Sequence, residues 1–159
     1  MLDIQTPSLR AEERQVIEDL ASLLAPWGLP LSQGRVYAYV LLSSTPVGLD
    51  QIAADLEMSK AGAWSAATQL DRFGHIKRHG TPGSKRARYG PSEDLTAVMA
   101  AHSALLGSLG AVFQRSAATA ASGVVAARME ELSDLYLTVW RTMDDAIREV
   151  KAKHASRAR

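Results

Sequence analysis

Between Ser59 and Tyr89 the chain gathers side chains suited to holding a polyanion and to hydrogen-bonding with base edges. Ser59, Lys60, Gly62, Trp64, Ser65, Thr68, Gln69 and Arg72 fall on the outward side of one helical pattern running from Lys60 to Phe73. On such a face Thr68 and Gln69 can pair with bases, and Lys60 and Arg72 can reach phosphate or guanine. Ala61, Gly62 and Ser65 are small enough to let the backbone come close to a base edge. Ser59 stands at the helix start, where free amides and the helix dipole favour an anion. Directly after the helix, Lys77 and Arg78, then Lys85, Arg86 and Arg88, flank a Gly80-Thr81-Pro82-Gly83-Ser84 turn. That is the pattern of a two-stranded cationic ribbon. A polar helix face alone is what any surface helix shows. Joined to a basic hairpin it forms a device for gripping duplex phosphates while reaching into the major groove.

Trp64 is the odd member of the face. It can touch thymine methyl groups, fold back over Lys60 and Thr68, or cover a seam between helices. Other chemistries find little support. His75 and His79 stand four apart in what reads as strand, which is poor chelating geometry. His102 falls on an apolar helical stripe, where a satisfied interface or core imidazole is the ordinary outcome. No metal-ligand set is evident. No cysteine is present, which removes disulfides, thiolate metal sites and cysteine nucleophiles. No nucleophile elbow, phosphate-binding glycine loop or zinc-protease motif occurs, so neither an enzyme nor a bound cofactor is expected. Glu130-Glu131 and Asp144-Asp145 read as solvating pairs on an amphipathic helix.

The elements that must position the face follow from periodicity. A helix is expected over 10–24, with Val16, Ile17, Leu20, Leu23 and Leu24 apolar, and Pro26, Gly28 and Pro30 ending it. Trp27 and Leu29 are expected to tuck inward. A second helix is expected over 33–44, with Val36, Tyr39, Val40 and Leu41 facing a core. After the Thr45–Gly48 turn comes a short helix over 49–56, a turn at Glu57-Met58, and the reader helix. Ser59 is its N-cap, and Gly74 is its stop. Ala63, Ala67, Leu70 and Phe73 are its inward positions.

Ser92 is placed to cap a long helix over 93–118, with a stripe of Leu95, Val98, His102, Leu105, Leu109 and Val112. A final helix from about Ser122 carries Val125, Met129, Leu132, Tyr136, Val139, Met143, Ala146 and Val150. Both stripes repeat every 3.5 residues, as in helices packed in coiled-coil fashion. Leu135, Trp140 and Ile147 lie off the second stripe, so one neighbour is insufficient cover and a homodimer interface through Val125, Met129, Leu132, Tyr136, Val139 and Met143 is expected. Gly107 and Gly110 permit close helix approach or a kink, and residues 151–159 read as frayed.

With 47% hydrophobic and 22% charged residues in 159, a folded core is within reach. The net charge of +1 conceals an asymmetry: seven cations against two carboxylates between Glu57 and Ser92 leave the rest of the chain net negative. No unbroken apolar run approaches the roughly 18 residues of a membrane span, and residues 1–5 lack the look of a signal peptide. A cytoplasmic protein without a membrane partner is therefore expected.

The residues also carry a family likeness. Gly28-Leu29-Pro30, Gly34-Arg35, Tyr39-Val40-Leu41-Leu42-Ser43, Leu49-Asp50-Gln51-Ile52-Ala53, Ser59-Lys60 with Ser65 and Leu70, Gly74, and Arg86-Ala87-Arg88-Tyr89 together resemble the MarR-like winged-helix transcriptional regulators, most closely their GbsR-type branch. The resemblance implies a homodimer on a palindromic double-stranded DNA operator, with the terminal helices forming the interface. It places Ser59, Lys60, Gly62, Trp64, Ser65, Thr68 and Gln69 in the groove, with Arg78, Lys85, Arg86 and Arg88 on the backbone. It also implies a small-molecule effector, for which Trp27, Tyr136 and Trp140 can line a cleft. Ala61-Gly62-Ala63-Trp64 departs from the family's polar and branched residues, so no sequence preference carries over.

The expected fold is thus mainly α with a small β-hairpin wing. An N-terminal dimerisation helix and linker occupy 1–32, a winged helix-turn-helix domain 33–92, and C-terminal dimerisation helices with a basic tail 93–159. The expected function is a sequence-specific DNA-binding regulator, most simply a repressor. The alternative is a winged-helix protein-interaction module without specific DNA binding, docking its partner through Trp64.

Overall fold

The computed structural model describes residues 9–80, 86–94, 96–120 and 122–157. Lys85, the Thr81–Ser84 part of the hairpin tip, and Leu95 lie outside the described residues. The chain divides into two compact units, 1–95 and 96–159.

In the first unit α1 (Ala11–Leu24) opens with a reciprocal cap, Glu13 accepting from the Arg10 backbone N–H at 3.0 Å while pairing with its guanidinium. A 3-10 turn at Ala25–Trp27 ends on Gly28 at φ +89°, a left-handed position that glycine occupies without a Cβ penalty. Leu29 turns inward as expected. Trp27 does not: it is 65% exposed, because the 3-10 turn swings its side chain outward. Helix α2 (Leu31–Leu42) starts two residues earlier than the sequence suggested, since Pro30 sits at the N-cap, ahead of the first helical residue. Val36, Tyr39 and Val40 are buried, whereas Leu41 is exposed at 38% because the buried side of α2 runs through Gly34, Ala38 and Val40. Helices α1 and α2 pack so closely that a Cβ on Gly34 would stand 2.8 Å from the Ala21 Cα.

A two-residue strand, β1 (Val47–Gly48), leads into α3 (Leu49–Asp55). The following turn holds Glu57 at φ +53°, a conformation costing a non-glycine residue about 1–2 kcal/mol. Arg14 reaches from α1 to this turn, contacting the Asp55 carbonyl and the Glu57 carboxylate. Helix α4 (Lys60–Arg72) is capped by Ser59, whose Oγ accepts the Gly62 N–H at 3.0 Å. It ends with Gly74 at φ +77°. Ala63, Ala66, Ala67 and Leu70 are its buried positions. Phe73, expected inward, is 60% exposed, because it falls at the C-cap where the backbone leaves helical geometry.

Strands β2 (Ile76–His79) and β3 (Arg88–Pro91) pair antiparallel, with β1 added on the far side of β3 in the order β1-β3-β2. The sheet therefore has three strands where a two-stranded ribbon was expected, and its second long strand begins at Arg88. His75 lies in the bend before β2, so it does not share a strand face with His79. Its ring stands edge-on to Tyr37, centroids 5.4 Å apart. Ile76 and Tyr89 plug the sheet into a core of Ile17, Val36, Val40, Ile52 and Leu70.

The second unit is an antiparallel helical hairpin, α5 (Ala97–Thr119) and α6 (Gly123–Arg157). Ser92 does not cap α5; its hydroxyl donates to the Asp94 carbonyl, and Glu93 pairs with Lys77 at 3.3 Å, so the helix starts only after Thr96. The two backbones meet at small residues. A Cβ on Gly110 would fall 2.6 Å from the Leu137 side chain, one on Gly107 would fall 3.0 Å from the Trp140 ring, and the Ser133 hydroxyl donates to the Gly110 carbonyl at 3.2 Å. Close approach, not a kink, is the use of these glycines. The large apolar stripe flanks this contact: Leu105 (58%) and Val112 (46%) are exposed within the chain. Helix α6 continues to Arg157 through the segment expected to fray, with Lys153 paired to Glu149 one turn back. Asp144 and Asp145 both pair with Arg148. By length and composition alone α5 is apolar enough to cross a membrane, a property that core helices of water-soluble proteins share.

Candidate nucleic-acid interface

The outer face of α4 presents Ala61, Trp64, Ser65, Thr68 and Arg72 to solvent, because Ala63, Ala66, Ala67 and Leu70 anchor the opposite side. Trp64 is 58% exposed, which excludes the sealed-seam arrangement within the first unit. Gly62 and Gln69 are only half exposed and sit at the margins of the face, so both are less outward than their spacing suggested. Gly62 is turned toward its own cap, where a Cβ would stand 3.1 Å from Ser59 Oγ. Lys60 Nζ lies 2.8 Å from Asp50 Oδ1 at the start of α3. That hydrogen bond, followed by direct charge attraction and a weaker pull from Arg86, holds the Asp50 carboxyl below its ordinary range.

On the wing, Arg78 and Arg86 are exposed. The Arg78 backbone N–H donates to Asp71 Oδ1 at 2.9 Å, tying β2 to the last turn of α4. Arg88 donates to the Pro46 carbonyl at 3.1 Å and so braces β1 against β3. Lys77 is engaged with Glu93. The Tyr89 phenol is raised above its ordinary range chiefly by burial, with Arg78 opposing.

These pieces enclose one open cleft of about 620 Å³. Trp64, Thr68 and Asp71 form the α4 wall, Gly48 to Gln51 the floor, and Arg78 with Arg86 to Tyr89 the wing wall. Asp50, Gln51 and Asp71 were given no site role from sequence; Asp71 in particular could have been, since no other carboxylate lies between Met58 and Ser92. A second cleft of about 400 Å³ lies between the start of α1, the end of α2 and β1. There the Tyr39 hydroxyl donates to Asp55 at 2.5 Å, and burial together with that carboxylate pushes the phenol well up.

Trp27 belongs to the first unit, and Tyr136 and Trp140 to the second; neither cleft is lined by any of the three. Tyr136 packs against Phe113 at 5.4 Å. Of the expected interface residues, Val125 and Val139 are exposed, and Met129, Leu132, Tyr136 and Met143 half-buried. His102 Nδ1 lies 2.9 Å from the Val98 carbonyl. Among the described residues no group of three or more His, Asp or Glu side chains is arranged to hold a metal ion.

A helix-turn-helix continued into a three-stranded wing defines the winged-helix fold, with a helical hairpin appended. A solved structure described as the crystal structure of a transcriptional regulator has this fold, with a TM-score of 0.72 and 20% identity over 89% of this chain and 99% of that one. Another, described as the transcriptional regulator SlyA, aligns with a TM-score of 0.41 and 16% identity over 85% of this chain and 96% of its own, too loosely to add to the comparison. No family model matches the sequence, and no curated protein matches it significantly.

Proposed function

We propose that the protein is a MarR-like transcriptional regulator of the GbsR type, acting in the cytoplasm as a homodimeric repressor on a palindromic operator. The observation that carries this reading is the shared cleft: an exposed helix face and the arginines of a wing, Arg78, Arg86 and Arg88, converge on one concavity. A major groove accommodates an α-helix, and cations beside it neutralise phosphates. The transcriptional-regulator description of the solved structure with the same fold points the same way. Dimerisation is supported by apolar side chains that the hairpin leaves exposed, Leu105, Val112, Val125 and Val139 among them. A two-fold axis would set the two α4 helices one turn of duplex apart, about 34–36 Å. Release by a small effector belongs to the same reading. The catalytic role is nil.

The exposed Trp64 favours one competing reading, a docking module for another protein. Sedimentation and duplex anisotropy on the full chain separate the two. A dimer that binds duplex DNA, with affinity falling steeply between about 50 and 200 mM salt, is expected. A chain that ignores duplex DNA at the lowest salt is a docking module.

A further inference from the structure

The outer face of α4 is unusual for a groove reader in what it lacks. Bidentate recognition of purines needs an arginine, lysine, asparagine or glutamine side chain aimed at the base edge. Here Lys60 lies at the first turn and pairs with Asp50 at 2.8 Å, Gln69 is half-buried, and Arg72 comes only in the last turn. The middle of the face offers instead the Ala61 methyl, the Trp64 indole, the short Ser65 hydroxyl, and the hydroxyl and methyl of Thr68, all exposed. Trp64 is the largest of these, and it forms part of the cleft wall facing the wing arginines. The Trp64 indole, 58% exposed, therefore puts apolar area on the same concavity as Arg78, Arg86 and Arg88. The one apolar group that the major groove offers is the 5-methyl group of thymine.

We propose that α4 reads its DNA chiefly through thymine 5-methyl groups, with Trp64 as the principal specificity-determining contact and Ala61 and Thr68 flanking it. The inference rests on the duplex-binding reading above and deepens it: the preferred half-site contains thymine opposite Trp64. A 5-methylcytosine carries its methyl at the same place in the groove and substitutes for it.

The test begins with selection of duplexes from a random library by the full chain. Each thymine of the selected site is then replaced singly by deoxyuridine, which removes only the methyl group. One or two positions are expected to weaken binding about fourfold per methyl, the worth of burying one apolar carbon. At those positions 5-methylcytosine is expected to bind several-fold tighter than cytosine. Trp64→Ala, folded by circular dichroism because the residue is exposed, is expected to bind more weakly and to lose the difference between thymine and deoxyuridine. Selective binding with every deoxyuridine neutral overturns the methyl readout and leaves the regulator reading standing, as does a Trp64→Ala chain that keeps the difference. Duplex binding without any selected sequence also overturns it. Absence of duplex binding at low salt overturns both.

Discussion

Gly34→Val is expected to lower the melting temperature of the winged-helix unit by 10 °C or more. A Cβ at position 34 would stand 2.8 Å from the Ala21 Cα and 3.1 Å from its Cβ, and Ala21 is fully buried. Backbone atoms cannot swing aside as a flexible side chain can, so α1 and α2 must separate. Overpacking of this kind costs about 1–3 kcal/mol, and a branched side chain on a helix crossing belongs at or above the upper end. For a domain of this size each kcal/mol lowers the melting point by roughly 4–8 °C. Gly48→Ala is the control, since its Cβ would meet nothing within 4 Å and its φ is an ordinary −86°. Equal melting temperatures for Gly34→Val and the parent would mean that the α1–α2 crossing is not as tight as described.

Neutralising the wing should have the largest effect on DNA. The double variant Arg78→Gln, Arg86→Gln keeps the backbone hydrogen bond from residue 78 to Asp71 and removes two exposed cations. If both contact phosphate, the slope of log affinity against log salt falls by about 2 per protomer, and affinity at about 0.1 M salt falls at least tenfold. The loss should be the same on selected and scrambled duplexes, because phosphate contacts position the protein without reading sequence. Anisotropy titrations over a range of salt give both numbers. An unchanged slope would remove the wing from the interface.

The local punctuation of the fold was legible. Ser59 as a cap and Gly74 as a stop bracket α4 because each satisfies backbone groups locally, whatever the rest of the chain does. That two paired strands follow α4 was legible from the cationic runs around them. What escaped was set by tertiary contact. Strand β1 is two residues long and preceded by a proline, and only its pairing with Tyr89 and Arg88 makes it a strand. Trp27 and Phe73 look like core from composition, yet each falls at a helix end where the chain turns outward. In the hairpin, counting large apolar residues located the flank of the α5–α6 contact. The contact itself lies at Ser103, Gly107, Gly110 and Ser133, where the absence of bulk decides how near two backbones come. The candidate interface was legible as a face and a ribbon, but the Lys60–Asp50 and Asp71–Arg78 ties that set its geometry join elements that spacing alone cannot bring together.

The chain has three tryptophans, Trp27, Trp64 and Trp140. Trp27→Phe, Trp140→Phe leaves Trp64 as the sole indole, at the centre of the surface assigned to DNA. Titrating this variant with duplex DNA at low salt, while following its fluorescence and its quenching by iodide, reports directly on whether that surface is covered. A change in emission together with protection from iodide, saturating at the same DNA concentration as anisotropy, is the expected result. An indole that remains equally open to iodide with DNA fully bound would contradict the account, since duplex would then be held by some other part of the molecule.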